Sequence, residues 1–228
     1  MNPVVLLLIY TFVFGVVFRA RWPQAGSQDL TGFAVTLFAG LVVINTFGEM
    51  AARAPTLVVN VPNYVKKVVF PLELLPVSAL GSSLFHALVS LAILIGGHLL
   101  TGGTIGWTVL LLPVVWLPLV CLALGFAWFL SSLGVFVRDI GHFVMLVVMV
   151  LPFVTPTFFP LSAIPPPFDE LVRLNPLTAV VEDTRRTVLW SQLPAWETLG
   201  RTALGSAAFM LLGYAWFMKT KKAFADVI

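Results

Sequence analysis

Residues 60–76 read NVPNYVKKVVFPLELLP, and they are the place where charge and helix breakers interrupt the chain between two long apolar segments. Pro62 and Asn63 can open a helix, because proline tolerates a first-turn position and asparagine caps free N–H groups. The helix expected from them, Asn63 to Val69, is about two turns long. Lys66 and Lys67 would each cost roughly 2.5 to 3.5 kcal/mol in hydrocarbon, so they belong at or outside a membrane face. Pro71 and Pro76 restart the chain at a new angle. The stretch therefore reads as a short elbow across the membrane surface, held by a helix on each side and able to pass a push from a soluble partner into the bilayer.

Working outward, the composition sets the class. The chain has 228 residues, 59% of them hydrophobic and 10% charged, with a mean hydropathy of +1.01. Soluble domains carry about a quarter charged residues, so this is an integral membrane protein. At roughly 20 apolar residues per span, the length allows about six spans and no soluble catalytic domain. The formal charge of +3 comes from short basic loops, which suit an anionic inner leaflet rather than nucleic acid. Cys121 is the single cysteine, falls mid-span and reads as inert packing. No basic stretch precedes the apolar run Pro3 to Phe18 and no small-residue cleavage site follows it, which argues against a removable signal.

The expected spans are Pro3–Phe18, Leu30 to about Met50, Leu72 to about Leu99, Trp107–Phe136, Ile140–Val154 and Trp196–Phe217. The fourth is about 45 Å of helix, too long for a straight crossing, so Pro113 and Pro118 are expected to kink it. The fifth is short and runs into Pro156, Pro160 and Pro165 to Pro167. A helix that ends halfway and turns back explains both facts, provided protein or water covers the irregular backbone. Asp169 and Asn175-Pro176 are read as caps of two short helices. In the second, Glu182 and Asp183 meet Arg185 and Arg186 at three- and four-residue spacing, which describes an amphipathic hairpin at the outer interface.

Placing the elbow inside gathers Arg53, Lys66, Lys67, Arg138, Lys219, Lys221 and Lys222 there, against Arg19, Arg21, Arg173, Arg185, Arg186 and Arg201 outside. All five lysines fall on one side, so both termini are expected in the cytoplasm. Chemistry is sparse. His86, His98 and His142 have no metal spacing, and no HExxH, GxSxG or Walker A pattern occurs, so any nucleotide site lies on another polypeptide. Glu73 is expected to pair with Lys66, Lys67 or a partner's basic residue. His86, among Gly81, Ser82, Ser83 and Ser90, reads as close, hydrogen-bonded helix packing, with a polar conduit as the alternative. Trp22, Trp107, Trp190 and Trp196 read as interfacial anchors. Trp116, Phe126, Trp128, Phe129, Phe153, Phe158 and Phe159 lie deeper or beside the Pro-rich turn and are candidates for lining a path, where their faces could stack on sugar rings.

The run Asn63, Lys66-Lys67, Phe70-Pro71 and Leu75-Pro76 resembles the first cytoplasmic loop of ABC-2 type exporter permeases, above all the branch that exports O-antigen and teichoic acid chains. The short fifth span, Pro-rich turn and Asn-Pro helix resemble the same family over nearly the whole chain. The resemblance implies an all-α membrane protein of six spans, with a coupling helix and a pair of external re-entrant helices before the last span. It implies that Asn63, Tyr64, Lys66, Lys67, Phe70, Arg138 and Asp139 dock on an ABC ATPase subunit. Asn175, Pro176, Glu182, Arg185 and Arg186 would then belong to the re-entrant pair. It further implies a homodimer with two ATPase copies in a bacterial inner membrane, a lipid-linked glycan as substrate, no cofactor or metal on this chain, and ATP and magnesium on the partner. Relatives carry an amphipathic basic helix before the first span, ending in a Gln-Pro pair. Met1-Asn2-Pro3 begins at about that pair, so residues 1–228 read as one transmembrane domain without that helix. An ABC-2 exporter of a small hydrophobic drug or lipid remains an alternative. A channel or secondary transporter, and a lipid-modifying enzyme, are disfavoured by the lack of an internal repeat and of clustered acids, bases or ligands.

Overall fold

The computed structural model describes residues 8–17, 22, 30–66 and 70–227, and among them there is no strand. A helical segment wound with wide turns covers Thr11–Val17. The remaining helices are α1 (Leu30–Arg53), α2 (Pro62–Lys66), α3 (Leu74–Leu100), α4 (Leu112–Phe136), α5 (Ile140–Val154), α6 (Phe168–Leu174), α7 (Pro176–Val188), α8 (Trp196–Thr220) and α9 (Phe224–Val227). With their flanking turns, Leu30–Thr56, Leu74–Leu100 and Trp107–Phe136 are long and apolar enough to cross a membrane. Helix α5 is apolar but has only 15 residues. Helix α8 has 25 but carries Glu197 and Lys219 near its ends. Of the first expected span, Pro3–Phe18, residues 3–7 and 18 lie outside the described residues.

Helix α1 is the axis of the bundle. It buries residues on every side, from Phe33 through Leu37, Val43 and Met50, with α3, α4, α5 and α7 packed around it. Helix α3 buries only a stripe, Leu80, Ser83, Ala87, Leu91 and Leu94, whose three- and four-residue spacing is that of one helical face. Its other sides expose mainly apolar residues such as Phe85, Leu88, Val89 and Ile93, which suits lipid, together with Ser78, Ser82 and His86. Helices α4 and α8 cross where small residues let the backbones meet: a Cβ on Gly213 would collide with the Gly125 carbonyl oxygen. Gly134 of α4 likewise lies against the Pro55 carbonyl, with no room for a Cβ. That contact ties the far end of α4 to the exit of α1.

Pro113 does not kink the fourth span as the sequence suggested. The segment opens as a tight three-residue-per-turn helix over Trp107–Leu111, so Pro113 falls in the first turn of α4, where its missing N–H is not needed. Pro118 alone lies inside the helix and removes a main-chain bond. Asp169 does not cap α6; Pro167 occupies that position and Asp169 sits within the first turn, where its charge still suits the helix dipole.

Two apolar clusters result. The larger joins α1, α3, α4 and α7. The smaller, Val58, Leu72, Trp128, Val135, Phe217 and Phe224, sits at the end of the bundle where the elbow lies.

Candidate functional site: the elbow end and the buried arginine

The elbow is anchored on both sides. Before it, Asn60 and Val61 donate main-chain bonds to Thr56 and Val58, and Val58 is fully buried. After it, Leu72 enters the same cluster and Pro71 begins the turn into α3. Between these anchors Asn63, Tyr64 and Lys66 are exposed. The Tyr64 ring stacks on Phe70 at 5.1 Å, which closes the elbow over α2. Lys67 lies outside the described residues.

Glu73 pairs with Lys221 at 2.6 Å and not with Lys66, which corrects the expectation from local spacing. The partner is 148 positions away in sequence, so no helical periodicity could have found it. The Lys221 hydrogen bond is the main reason that the Glu73 carboxyl is held below its ordinary range, with burial working in the opposite direction. Trp128 Nε1 donates to the Glu73 carbonyl at 3.1 Å, and Ser132 shares a hydrogen bond with Thr220 at 2.7 Å. Phe224 of α9 packs edge-on against Phe217 at 5.4 Å. The elbow, the end of α4 and the carboxyl end of the chain are thus joined in one packed unit.

The turn Arg138-Asp139 emerges at this same end, exposed, with Gly141 beside Pro55. Among the described residues, neither Lys66 nor Arg138 forms an ion pair, which leaves both charges open. Arg53 instead bonds Glu49 at 3.0 Å, and Glu49 also meets His86 at 2.9 Å. The Glu49–His86 contact links α3 to α1, the hydrogen-bonded helix packing that the sequence suggested for His86. Ser82 and Ser90 bond back to their own helix.

On the other side of α1 lies a second constellation. Arg185 is fully buried, although its spacing to Glu182 suggested an interfacial pair. The pair forms, at 2.8 Å. The same guanidinium also donates to the carbonyls of Thr36 at 3.1 Å, Pro156 at 2.7 Å and Thr157 at 3.1 Å. Trp22 lies over it at 4.6 Å, so Trp22 is a buried partner of a cation and not an interfacial anchor. One side chain thereby joins α1, the turn after α5, and α7. It supplies donors to carbonyls that the Pro-rich turn leaves without helical partners. Asn175 caps α7 by accepting from Leu177 N at 3.0 Å, with Pro176 at the first helical position, and it also donates to Thr155 at 3.2 Å.

The path candidates divide. Trp116, Trp128 and Phe158 are buried, and Trp116 donates to Thr184 at 3.1 Å. Phe126 lies between Phe47, edge-on at 5.3 Å, and Phe209, tilted at 4.7 Å. Phe129 packs on Trp216, and Phe159 is partly buried against the large cluster. Phe153 is half exposed on α5.

Residues 1–189 match the family model described as ABC-2 type transporter. The chain belongs to the ABC-2 type transporter family. It is also similar to the O-antigen export system permease protein RfbA of Myxococcus xanthus, 27% identical over all of this chain and 85% of that protein. Two Klebsiella pneumoniae proteins of the same name match at 24% and 25%, again over all of this chain and 85% of theirs. The family's members are membrane subunits of transporters, so this ABC-2 chain is a permease and its apolar helices are its membrane portion.

Proposed function

We propose that this ABC-2 permease is the membrane subunit of an ATP-driven exporter that moves a lipid-linked, O-antigen-like polysaccharide outward across a bacterial inner membrane. Two copies would assemble, each with an ABC ATPase that carries the ATP and magnesium. The observation that carries the reading is the joining of the elbow, the Arg138 turn and the carboxyl end at one end of the bundle, with Lys66 and Arg138 unpaired there. A partner pressing on Asn63, Tyr64 and Lys66 would push on a unit packed into α4 and α8, so the displacement would be transmitted and not absorbed by a loose loop. Phe70, Lys67 and Asp139 complete the docking face.

This reading takes six spans, counting the first expected span, α5 and α8 with the three long apolar segments, and both termini in the cytoplasm. The α5 turn, α6 and α7 would be the external re-entrant portion. The buried Arg185 supports that reading because irregular backbone inside a bilayer requires such donors. The names of the similar permeases support the glycan substrate.

The test is reconstitution with the ATPase that copurifies. Replacing Tyr64, Lys66 and Phe70 by alanine is expected to abolish nucleotide-dependent export and ATPase recovery while leaving the permease folded. Export from vesicles without nucleotide, or full recovery of the ATPase with this variant, would overturn the proposal.

A further inference from the structure

A cavity of about 950 Å³ opens between α4, α7 and α8, on the side of the Gly125–Gly213 crossing away from the elbow. It is bordered by no residue of α5 or of the elbow. Its floor is apolar, formed by Leu122, Phe126 and Phe209, and its polar lining includes Asp183, Arg186 and Ser206. Arg201 also borders it, eight residues before Phe209 on α8, or about 12 Å nearer the end of the helix. Along α8 the cavity therefore runs from a charged end at Arg201 to an apolar end at Phe209.

Most of the charges around it are already matched. Arg201 bonds Glu197 at 2.6 Å, Arg173 meets Asp169 at 3.7 Å and Glu182 meets Arg185 at 2.8 Å. What remains is one guanidinium and one carboxylate, Arg186 and Asp183, three residues apart on α7. Neither forms an ion pair, although Asp183 Oδ1 accepts a bond from Ala195 N at 2.9 Å. Three polar atoms of this lining are buried with no hydrogen-bond partner: Asp183 Oδ2, Arg186 Nε and Ser206 Oγ. Asp183 and Ser206 are each only 2% exposed. An unmet buried polar group costs about 1 to 3 kcal/mol, so three on one cavity point to a ligand that meets them.

We propose that this cavity holds the headgroup of a zwitterionic phospholipid, with its phosphate on Arg186, its ammonium on Asp183 and an acyl chain along Leu122, Phe126 and Phe209. A guanidinium is the side chain best matched to phosphate. A carboxylate three residues away selects a headgroup that also carries a primary ammonium, as phosphatidylethanolamine does, and disfavours one with phosphate alone. The apolar floor selects a lipid over a free phosphate compound. The inference rests on the chain being embedded in a membrane and not on the substrate proposed above, because it concerns a face that the elbow and α5 do not share.

The test incubates the purified full chain with equimolar phosphatidylethanolamine and phosphatidylglycerol and counts retained lipid by native mass spectrometry. Preferential retention of phosphatidylethanolamine is expected. Asp183→Asn keeps an oxygen for Ala195 N, so the fold should stand, but it removes the charge and should lower the preference about tenfold or more. Arg186→Gln should lower retention of both lipids, and Ser206→Ala should weaken phosphatidylethanolamine retention, with thermal unfolding recorded for each variant. Equal retention of the two lipids by the wild type, or an unchanged preference in a folded Asp183→Asn, would overturn the proposal. So would displacement of the lipid by free phosphoethanolamine or inorganic phosphate at matched concentration, because the site would then be one for a soluble phosphate.

Discussion

Replacing Arg185 by methionine removes a buried cation while keeping much of its volume. The Pro156 and Thr157 carbonyls lie in a non-helical turn and lose their donor, and the Glu182 carboxylate loses its partner. The Thr36 carbonyl lies inside α1 and is the least affected. Breaking one side of a buried ion pair costs about 3 to 5 kcal/mol. Glu182 is 23% exposed and can recover some water, which favours the lower part of that range. The assay is unfolding of the purified chain in mixed micelles titrated with dodecyl sulfate, followed by tryptophan fluorescence. Arg185→Met is expected to lose about 3 kcal/mol or more. Adding Glu182→Gln should restore only part, since the two carbonyls stay unmet; Arg185→Lys should fall between, because one ammonium cannot reach α1 and the turn with a guanidinium's fixed fork. A loss below about 1 kcal/mol for Arg185→Met would refute the argument, because that is within the net worth of one ordinary hydrogen bond.

Gly134→Ala places a methyl against the Pro55 carbonyl and should cost about 1 to 3 kcal/mol by the same unfolding assay. Gly213→Ala should separate α4 from α8 at a similar cost, whereas Gly200→Ala, which meets open space, should cost nothing measurable or slightly stabilise. For Glu73, the Lys221 bond lowers the folded pKa, so its contribution is complete above the unfolded glutamate value of about 4.3 and is lost as pH falls through the lower folded value. A stability titration from pH 6 to pH 3 should therefore show a smaller acid loss in Glu73→Gln than in the wild type. Because both side chains are about a quarter exposed, that variant should cost less than ~1 kcal/mol at pH 7.

The sequence made the membrane class, the limits of α5 and the Asn175-Pro176 start of α7 legible, because each has a local physical signature: hydropathy, a proline run and a capping pair. The short helix of the elbow was legible in part: it opens at Pro62, one residue before the expected Asn63, and is described as far as Lys66. What failed was everything decided by contacts distant in sequence. Glu73 found Lys221 and Trp22 found Arg185. In each, a polar or amphipathic residue near a span end looked interfacial because its neighbours in sequence gave no reason to bury it. Arg185 is the sharpest instance: the three-residue spacing to Glu182 predicted the ion pair correctly and its burial not at all, because burial was decided by carbonyls 28, 29 and 149 positions away.

The contrast between α5 and α7 shows why composition misjudged both. Helix α5 is apolar on every side, yet among its residues only Val144 is buried within the chain. Helix α7 is among the most polar segments, yet ten of its 13 residues are buried. In water this would be inverted, since apolar area is what folding removes from solvent. In a bilayer, hydrocarbon solvates α5 as well as protein does, so apolarity alone gives no reason for it to be enclosed. A guanidinium, a carboxylate and several hydroxyls cannot be left to lipid, and they must be enclosed where carbonyls and side chains can meet them. Polarity is therefore what draws α7 into the centre of this permease, and Asp183 Oδ2 and Arg186 Nε, unpartnered among the described residues, lie on the side of that helix that borders the cavity against α4 and α8.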